Sequence, residues 1–256
     1  MPRTARKKSK TGINHIIFRG INYLDIFLEK DDFEEYIYRL EKISMKYELE
    51  IYAYCLMTNH VHLLIKEGIE DISASLKRLG TGYAQWYNKK YRRCGHVFQD
   101  RFLNEPVEDD AYLLTVSRYI HMNPVKVGMT QKPEEWKWSS CRGYYSIDIP
   151  NSILKRDKVL SCFCDDREKA VMGYKEYMKQ ENNDKCMEYR ISKKSDSEVY
   201  EALACLMEGI PVHSLMALEK RKRDMIIAKA KKIEGVPQRQ LARVLGVSPN
   251  IVFKAK

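Results

Sequence analysis

Two histidines stand at a spacing that could support metal chemistry. His60-Val61-His62 opens an apolar run of strand type, and residues i and i+2 of a strand project from the same face. Their Cα atoms would lie about 7 Å apart, close enough for both imidazoles to bind one metal ion through neutral nitrogens. The alternative is a chance pair of histidines that form hydrogen bonds inside a packed sheet.

A tyrosine and an asparagine form a second pair, on a helix that precedes a proline. Tyr119 and Asn123 are spaced i, i+4, so they lie on one helical face. The amide oxygen of Asn123 could be a third, hard metal ligand, with the phenol of Tyr119 one turn away. The alternative is a half-buried aromatic residue followed by a C-terminal cap.

The elements that must position these residues follow from hydrophobic periodicity. Four strand-type runs are predicted, at 13–18, Leu49–Met57, Val61–Lys66 and Val97–Val107. Three helices are predicted, one capped by Asp31 or Asp32, one over 72–87, and one over Ala111–Asn123 that Pro124 ends. The order predicts an α+β fold, a ferredoxin-like sandwich whose antiparallel sheet has helices on one face.

Composition narrows the class of partner. The net charge of +10 favours a polyanion such as a nucleic acid. Seven cysteines without a C-x-x-C pair indicate reduced thiols and argue against disulfides or a zinc ribbon. The sequence has no apolar run of about 18 residues, so no membrane span is predicted. The basic N-terminus lacks the apolar core of a signal peptide. A cytoplasmic protein is expected.

Four regions are predicted along the chain. Residues 1–12 form a basic flexible arm, 13–150 a catalytic domain, 151–196 a polar helical linker region, and 197–256 a helical DNA-binding region. The last region contains a predicted helix-turn-helix, with a first helix at Gln238–Leu245, a turn at Gly246 and a cap at Ser248. Asn250 and Lys254 are its predicted groove contacts. The alternative is an amphipathic helix pair that serves packing alone.

A basic stretch interleaved with aromatic residues covers residues 77–105. Such a mixture is typical of single-stranded DNA grooves, in which phosphates meet cations and bases stack on rings. The predicted DNA contacts are Lys89, Lys90, Arg92, Arg93 and Arg101. Tyr83 and Trp86 are assigned to the core instead.

Two segments together resemble the signatures of a known family. MTNHVHLLI (Met57–Ile65) and RYIHMNPVKVGM (Arg118–Met129) resemble the single-tyrosine HUH transposases, and most closely the REP-associated tyrosine transposases of the IS200/IS605 type. Supporting matches are GINHIIFRGIN (Gly12–Asn22), GHVFQDRF (Gly95–Phe102) and EWKWSS (Glu135–Ser140). Two differences from the family pattern are Thr58 in place of proline, and His121 in place of an acidic residue, which could alter the local charge.

The resemblance implies a role for each residue. His60 and His62 would be the metal pair, Asn123 the third ligand, and Tyr119 the nucleophile. Tyrosine attack on phosphorus would release a 3′-OH and form a 5′-phosphotyrosine bond, which reverse attack would rejoin. Free phenol has a pKa near 10, so a cation such as Mg²⁺ or Mn²⁺ must help to stabilise the phenolate.

The resemblance therefore predicts an enzyme that nicks and joins hairpin-bearing single-stranded DNA, as a monomer or a homodimer. A non-catalytic DNA-binding regulator that keeps the transposase fold is the alternative. A replication initiator or relaxase with the same H-x-H is a third interpretation, disfavoured because such chains typically carry larger companion domains.

Overall fold

Four strands of the first compact unit form one antiparallel sheet. They are β1 (Ile13–Arg19), β2 (Glu50–Leu56), β3 (His60–Lys66) and β4 (Leu103–Pro106), in the spatial order β2-β3-β1-β4. The computed structural model describes residues 7–145, 153–181, 184–187, 195–207, 211–231, 233 and 235–255. The chain divides into two compact units, Met1–Glu188 and Tyr189–Lys256. Residues 1–6 of the predicted arm lie outside the described residues.

Two long helices complete the βαββαβ order of a ferredoxin-like sandwich. Helix α1 (Lys30–Tyr47) joins β1 to β2, and helix α2 (Ile72–Lys90) joins β3 to β4. Tyr83 on α2 is fully buried, as the sequence predicts. The α+β sandwich is thereby confirmed.

The sheet is covered on both faces, and this corrects the expectation of helices on one face. Successive residues of a strand point to opposite faces. Val61 and Leu63 of β3 pack with α1 and α2, whereas Leu64 packs with helix α3 (Asp110–Lys126). Strands that are buried on both sides read as nearly continuous apolar runs, which conceals the second helical layer from the sequence.

Helix α3 continues past the proline that was expected to end it. Asp109 caps its N-terminus by accepting a hydrogen bond from the Tyr112 amide. Pro124 lies inside the helix, which ends only at Lys126. A proline within the last turn removes few helical hydrogen bonds, so the last turn persists. Lys126 consequently lies on the helix, two turns after Tyr119.

Two other predicted boundaries also shift. The cap of α1 is Glu29, with Asp32 three residues later completing a capping box, rather than a cap at Asp31 or Asp32. The predicted strand Val97–Val107 is paired in β4 only from Leu103 to Pro106. Asp100 has a left-handed φ of 52°, which interrupts extended backbone before β4.

The region predicted as a linker contributes to the core of the first unit. Helices α4 (Cys141–Tyr145), α5 (Asp157–Leu160) and α6 (Arg167–Lys179) follow α3. Val159 and Tyr174 are fully buried in the same cluster as residues of α3. The compact unit therefore runs to Glu188 and does not end near residue 150. The apolar residues of this region are at helical spacing, but many charged residues separate them. The sequence therefore indicated a polar linker and not a part of the core.

The second unit has its own apolar core. Its α-helices in the described residues are α7 (Asp196–Leu206), α8 (Lys220–Ala230), α9 (Gln238–Val244) and α10 (Pro249–Lys254). A turn with Gly246 at a left-handed φ of 65° joins α9 to α10, where the sequence predicts it. Within the described residues, no helix combines the length and apolarity needed to span a membrane.

Candidate active site

The histidine pair lies at the start of the central strand β3. The His60 and His62 rings are neighbours on one face, with centroids 4.9 Å apart and planes at 82°. His62 is buried and His60 is half-buried. Strand alternation places both rings on the face that α3 covers.

Each histidine uses the same ring nitrogen for its hydrogen bond. Nδ1 of His60 lies 2.7 Å from Oδ1 of Asn59, and Nδ1 of His62 lies 3.1 Å from Nε2 of His15. Nε2 is therefore the nitrogen of each ring that could bind a metal.

The pKa of each histidine is lowered. Burial, followed by the nearby charge of Arg19, lowers the pKa of His60 to about 4. Burial lowers the pKa of His62 well below its usual value, and the neighbouring His60, His15 and Lys126 add to this. Both rings are neutral at pH 7, which is the form that binds metals.

Tyr119 stands with its ring against the histidines. Its ring centroid lies 5.7 Å from that of His62 and 5.9 Å from that of His15, both in edge-on geometry. The Lys126 ammonium lies 4.4 Å from the Tyr119 ring centroid. The tyrosine side of α3 therefore faces the histidine pair, and a cation adjoins the phenol.

Asn123 occupies the turn between Tyr119 and Lys126. Its side chain is buried, and Nδ2 donates to the Tyr119 carbonyl oxygen at 2.9 Å. The helix does not end at Asn123, so the alternative of a C-terminal cap does not describe this residue. The amide oxygen Oδ1 takes no part in that bond and could bind a cation.

The donor atoms are of the kinds that divalent ions accept, although imidazole nitrogens bind other divalent metals more readily than Mg²⁺. Among the described residues, no group of three or more His, Cys, Asp or Glu side chains could hold a metal. A site here therefore needs Asn123 or solvent in addition to His60 and His62. Two imidazole nitrogens and one amide oxygen leave further coordination positions for water or phosphate oxygens.

Two residues that the sequence did not single out extend the site. His15 on β1 is fully buried and bonds His62 through Nε2. Its Nδ1 lies 3.2 Å from Oε2 of Glu105 on β4. A buried histidine inside the apolar run 13–18 was the available signal, but only the sheet register shows its partners.

Positive charge also borders the histidines. Arg19 lies directly opposite His60 in the β1–β3 register. Its guanidinium lies 3.8 Å from the centroid of the Tyr23 ring, which holds the group in a stacked position. The sequence did not identify Arg19 or Lys126 as site residues.

The predicted DNA contacts of the first unit separate into different environments. Three are exposed, namely Lys89, Arg92 and Arg101. Arg93 is half-buried, with its guanidinium 5.7 Å from the centroid of the Tyr87 ring. Lys90 bonds Asp32 at 2.7 Å and Glu29 at 3.1 Å, so its charge is used within the protein. Lys90 as a DNA contact stays a prediction.

Arg101 lies away from the histidine pair. It lines a cavity of about 660 Å³ between α2 and residues 95–102, with Lys77 and His96 also in the wall. Phe18 lines the same cavity and belongs to the core that α1 and α2 cover. This cavity is therefore on the sheet face opposite the histidines. In the second unit, Asn250 and Lys254 are both exposed on α10.

His121 is a buried, uncharged residue that contacts α4 and α6. It is fully buried, with Nδ1 2.6 Å from the Tyr174 hydroxyl and Nε2 2.7 Å from Oγ of Ser140. Burial lowers the pKa of His121 to about 3, so the ring is neutral at pH 7. The ring therefore adds no positive charge, and it also lacks the negative charge of an acidic residue, so its effect on the local charge stays a prediction.

Comparison with known proteins places this geometry in context. Residues 9–123 match the family model described as "Transposase IS200 like". A protein of Haemophilus influenzae named "Putative REP-associated tyrosine transposase" is 29% identical over 123 residues, which span 43% of this chain and 67% of that protein.

Two further proteins are similar. The REP-associated tyrosine transposase of Escherichia coli is 24% identical over 121 residues, which span 44% of this chain and 69% of that protein. A solved structure of a REP-associated tyrosine transposase bound to a REP hairpin aligns with a TM-score of 0.47 at 20% identity, over 62% of this chain and 96% of that one.

Proposed function

We propose that this chain cleaves and rejoins hairpin-bearing single-stranded DNA with Tyr119 as the nucleophile, and the match of residues 9–123 to the family model "Transposase IS200 like" supports this. The observation that carries this proposal is the contact of the Tyr119 ring with His62, which adjoins His60. This contact supports the proposal because it brings the candidate nucleophile to the two neutral imidazoles that would bind the metal.

The chain's own residues have distinct tasks in this reaction. Oη of Tyr119 attacks phosphorus, the P–O3′ bond breaks, and a 5′-phosphotyrosine bond forms. The phenol loses its proton to solvent, and the departing 3′ oxygen takes one up. Attack by a 3′-OH on the phosphotyrosine reverses these bond changes and rejoins DNA without ATP.

Positive groups around Tyr119 offset the charge that develops. The Lys126 ammonium stabilises the phenolate, and Arg19 beside His60 is placed to contact phosphate oxygens. His60, His62 and Asn123 would hold Mg²⁺ or Mn²⁺, which when bound polarises the phosphate.

DNA must gain access to the tyrosine before the reaction. Tyr119 is 3% exposed in this structure, so little of its side chain is open to solvent.

Covalent capture of DNA tests the proposal. Full-length protein is incubated with a panel of labelled hairpin single strands and Mn²⁺, and adducts are separated on a denaturing gel. We expect an adduct that EDTA prevents. Tyr119→Phe should abolish the adduct and leave DNA affinity within about threefold, because only the attacking oxygen is removed. Tyr38→Phe, an exposed tyrosine on α1, is the matched control.

A non-catalytic DNA-binding regulator is the second candidate. The turn between α9 and α10, with Asn250 and Lys254 exposed, favours it because two short helices joined in this way can enter a DNA groove. Tight binding by the wild-type protein with no adduct on any hairpin would support the regulator and refute the enzyme.

A further inference from the structure

A chain of hydrogen bonds crosses three strands behind the histidine pair. Glu105 on β4 contacts His15 on β1, with Oε2 and Nδ1 3.2 Å apart. His15 contacts His62 on β3, with Nε2 and Nδ1 3.1 Å apart. His15 and His62 are 0% and 3% exposed, so water does not compete for the bond between them. The Glu105 side chain is 28% exposed.

The sheet register produces this chain. His15 is the direct partner of Glu105 across β1 and β4, and Ile17 is the direct partner of His62 across β1 and β3. His15 and Ile17 share a face, so His15 lies diagonally beside His62, within reach of a long side chain. The backbone amide of Met187 also donates to Oε2 of Glu105, at 3.1 Å.

The chemistry of the three groups fixes the direction of every bond. An ionised carboxylate only accepts hydrogen bonds, so Nδ1 of His15 donates to Glu105. A neutral imidazole carries one N–H, so Nε2 of His15 accepts, and Nδ1 of His62 must donate to it. Nε2 of His62 is then unprotonated and presents its lone pair.

His60 has the same tautomer as His62, but a different hydrogen-bond partner sets it. Its Nδ1 lies 2.7 Å from Oδ1 of Asn59, an amide oxygen that only accepts. Nδ1 of His60 therefore donates, and its Nε2 is unprotonated. Both rings present the nitrogen that a metal requires, each through separate hydrogen bonds.

We propose that Glu105 and His15 are positioning residues, which set the tautomer and ring orientation of His62 so that its Nε2 can bind a divalent cation. This inference rests on the proposed function, in which His60 and His62 hold that cation. Partners of this kind behind metal ligands typically contribute about 10- to 100-fold to metal affinity.

Removing the acceptor should reverse the chain. In Glu105→Leu, no side-chain oxygen accepts from Nδ1 of His15, so the His15 proton is free to move to Nε2. His15 then donates to Nδ1 of His62, and the His62 proton moves to Nε2, where it blocks metal binding. Glu105→Asp keeps an acceptor-only group and should keep the wild-type tautomer.

The tautomer is measured directly in metal-free, full-length protein by ¹⁵N–¹H correlation spectra of histidine-labelled samples. We expect His62 to be protonated on Nδ1 in the wild type and in Glu105→Asp, and on Nε2 in Glu105→Leu. Mn²⁺ titration followed by electron paramagnetic resonance should show Glu105→Leu binding about 10- to 100-fold more weakly. Glu108→Leu, an exposed neighbour, loses the same charge and should bind as the wild type does.

The experiments test the positioning role and the metal site separately. An unchanged His62 tautomer together with unchanged Mn²⁺ affinity in Glu105→Leu would overturn the positioning role. If Glu105→Leu does not fold, an Nε2–H tautomer of His62 in the wild type overturns it equally. Absence of Mn²⁺ binding by the wild-type protein would instead refute the metal site of the proposed function, whatever the tautomer.

Discussion

At the scale of single residues, the Lys126 ammonium lies 4.4 Å from the centroid of the Tyr119 ring. A cation over an aromatic ring stabilises the neutral phenol weakly, and the phenolate much more strongly, because the developing charge is full and negative. Lys126 should therefore act on the chemical step more than on DNA binding.

Lys126→Met tests this role. We expect single-turnover adduct formation at saturating DNA to slow by on the order of 10²-fold, as for removal of one charge-stabilising group. The dissociation constant for DNA, measured by fluorescence anisotropy, should change far less. Lys42→Met is the control, because Lys42 also lies 4.4 Å over a tyrosine ring, that of Tyr38, on α1. Equal slowing of both variants would show that Lys126 has no specific role.

At the scale of elements, a buried carboxylate joins the start of α1 to the end of α2. The Asp32 side chain is 0% exposed and accepts hydrogen bonds from the Leu28 and Glu29 amides, the Lys90 ammonium and the Tyr91 hydroxyl. Burial alone would raise the pKa of Asp32, but these donors outweigh it and lower the pKa. The two helices that cover one sheet face depend on this cluster.

Asp32→Asn should destabilise the first unit by about 3 kcal/mol, because Lys90 would lose its buried partner. The folded-state pKa of Asp32 is below its unfolded value, so its contribution is present above about pH 4 and is lost as the pH falls through the folded pKa. Urea unfolding should therefore show a large difference between wild type and variant at pH 7 that shrinks near pH 3. Asp31→Asn, an exposed neighbour, should change little; a difference independent of pH would contradict the ionic role.

Element boundaries show what spacing does and does not predict. The hairpin of β2 and β3 and the faces of α1 and α2 follow from periodicity, because each depends on residues close in the chain. The end of α3 and the start of β4 depend on neighbouring elements, and the sequence-based prediction was wrong for both. Helix α3 continues through Pro124, and β4 is shorter than the predicted strand. The extension matters for function, since it carries Lys126.

At the scale of the whole molecule, the chain combines a net charge of +10 with two separate compact units. A protein that neutralises phosphates releases counterions, so its DNA affinity falls steeply with salt. In the proposed function, α10 of the second unit adds contacts beyond those of the first unit.

Lys254→Ala in the full-length protein should weaken binding to duplex DNA about equally across sequences. The slope of log affinity against log salt should fall by about 1, as expected for one lost phosphate contact. Adduct formation on single strands at saturating concentration should be unchanged. Lys179→Ala removes the same charge where Glu176 already pairs with it, and should leave the slope unaltered; an unchanged slope in Lys254→Ala would exclude α10 from the interface.

The amino-acid sequence by itself determined the features that depend on spacing within one element. It placed His60 beside His62, and Tyr119 one turn from Asn123, because strand and helix periods fix which neighbours share a face. Only the tertiary structure decided that α3 lies over β3, that Lys126 reaches Tyr119, and that Glu105 and His15 stand behind His62. His15 is 47 residues from His62 and 90 residues from Glu105 in the chain. Their contact is set by sheet register and helix packing, which arise from the combined burial of many side chains and leave no local signature.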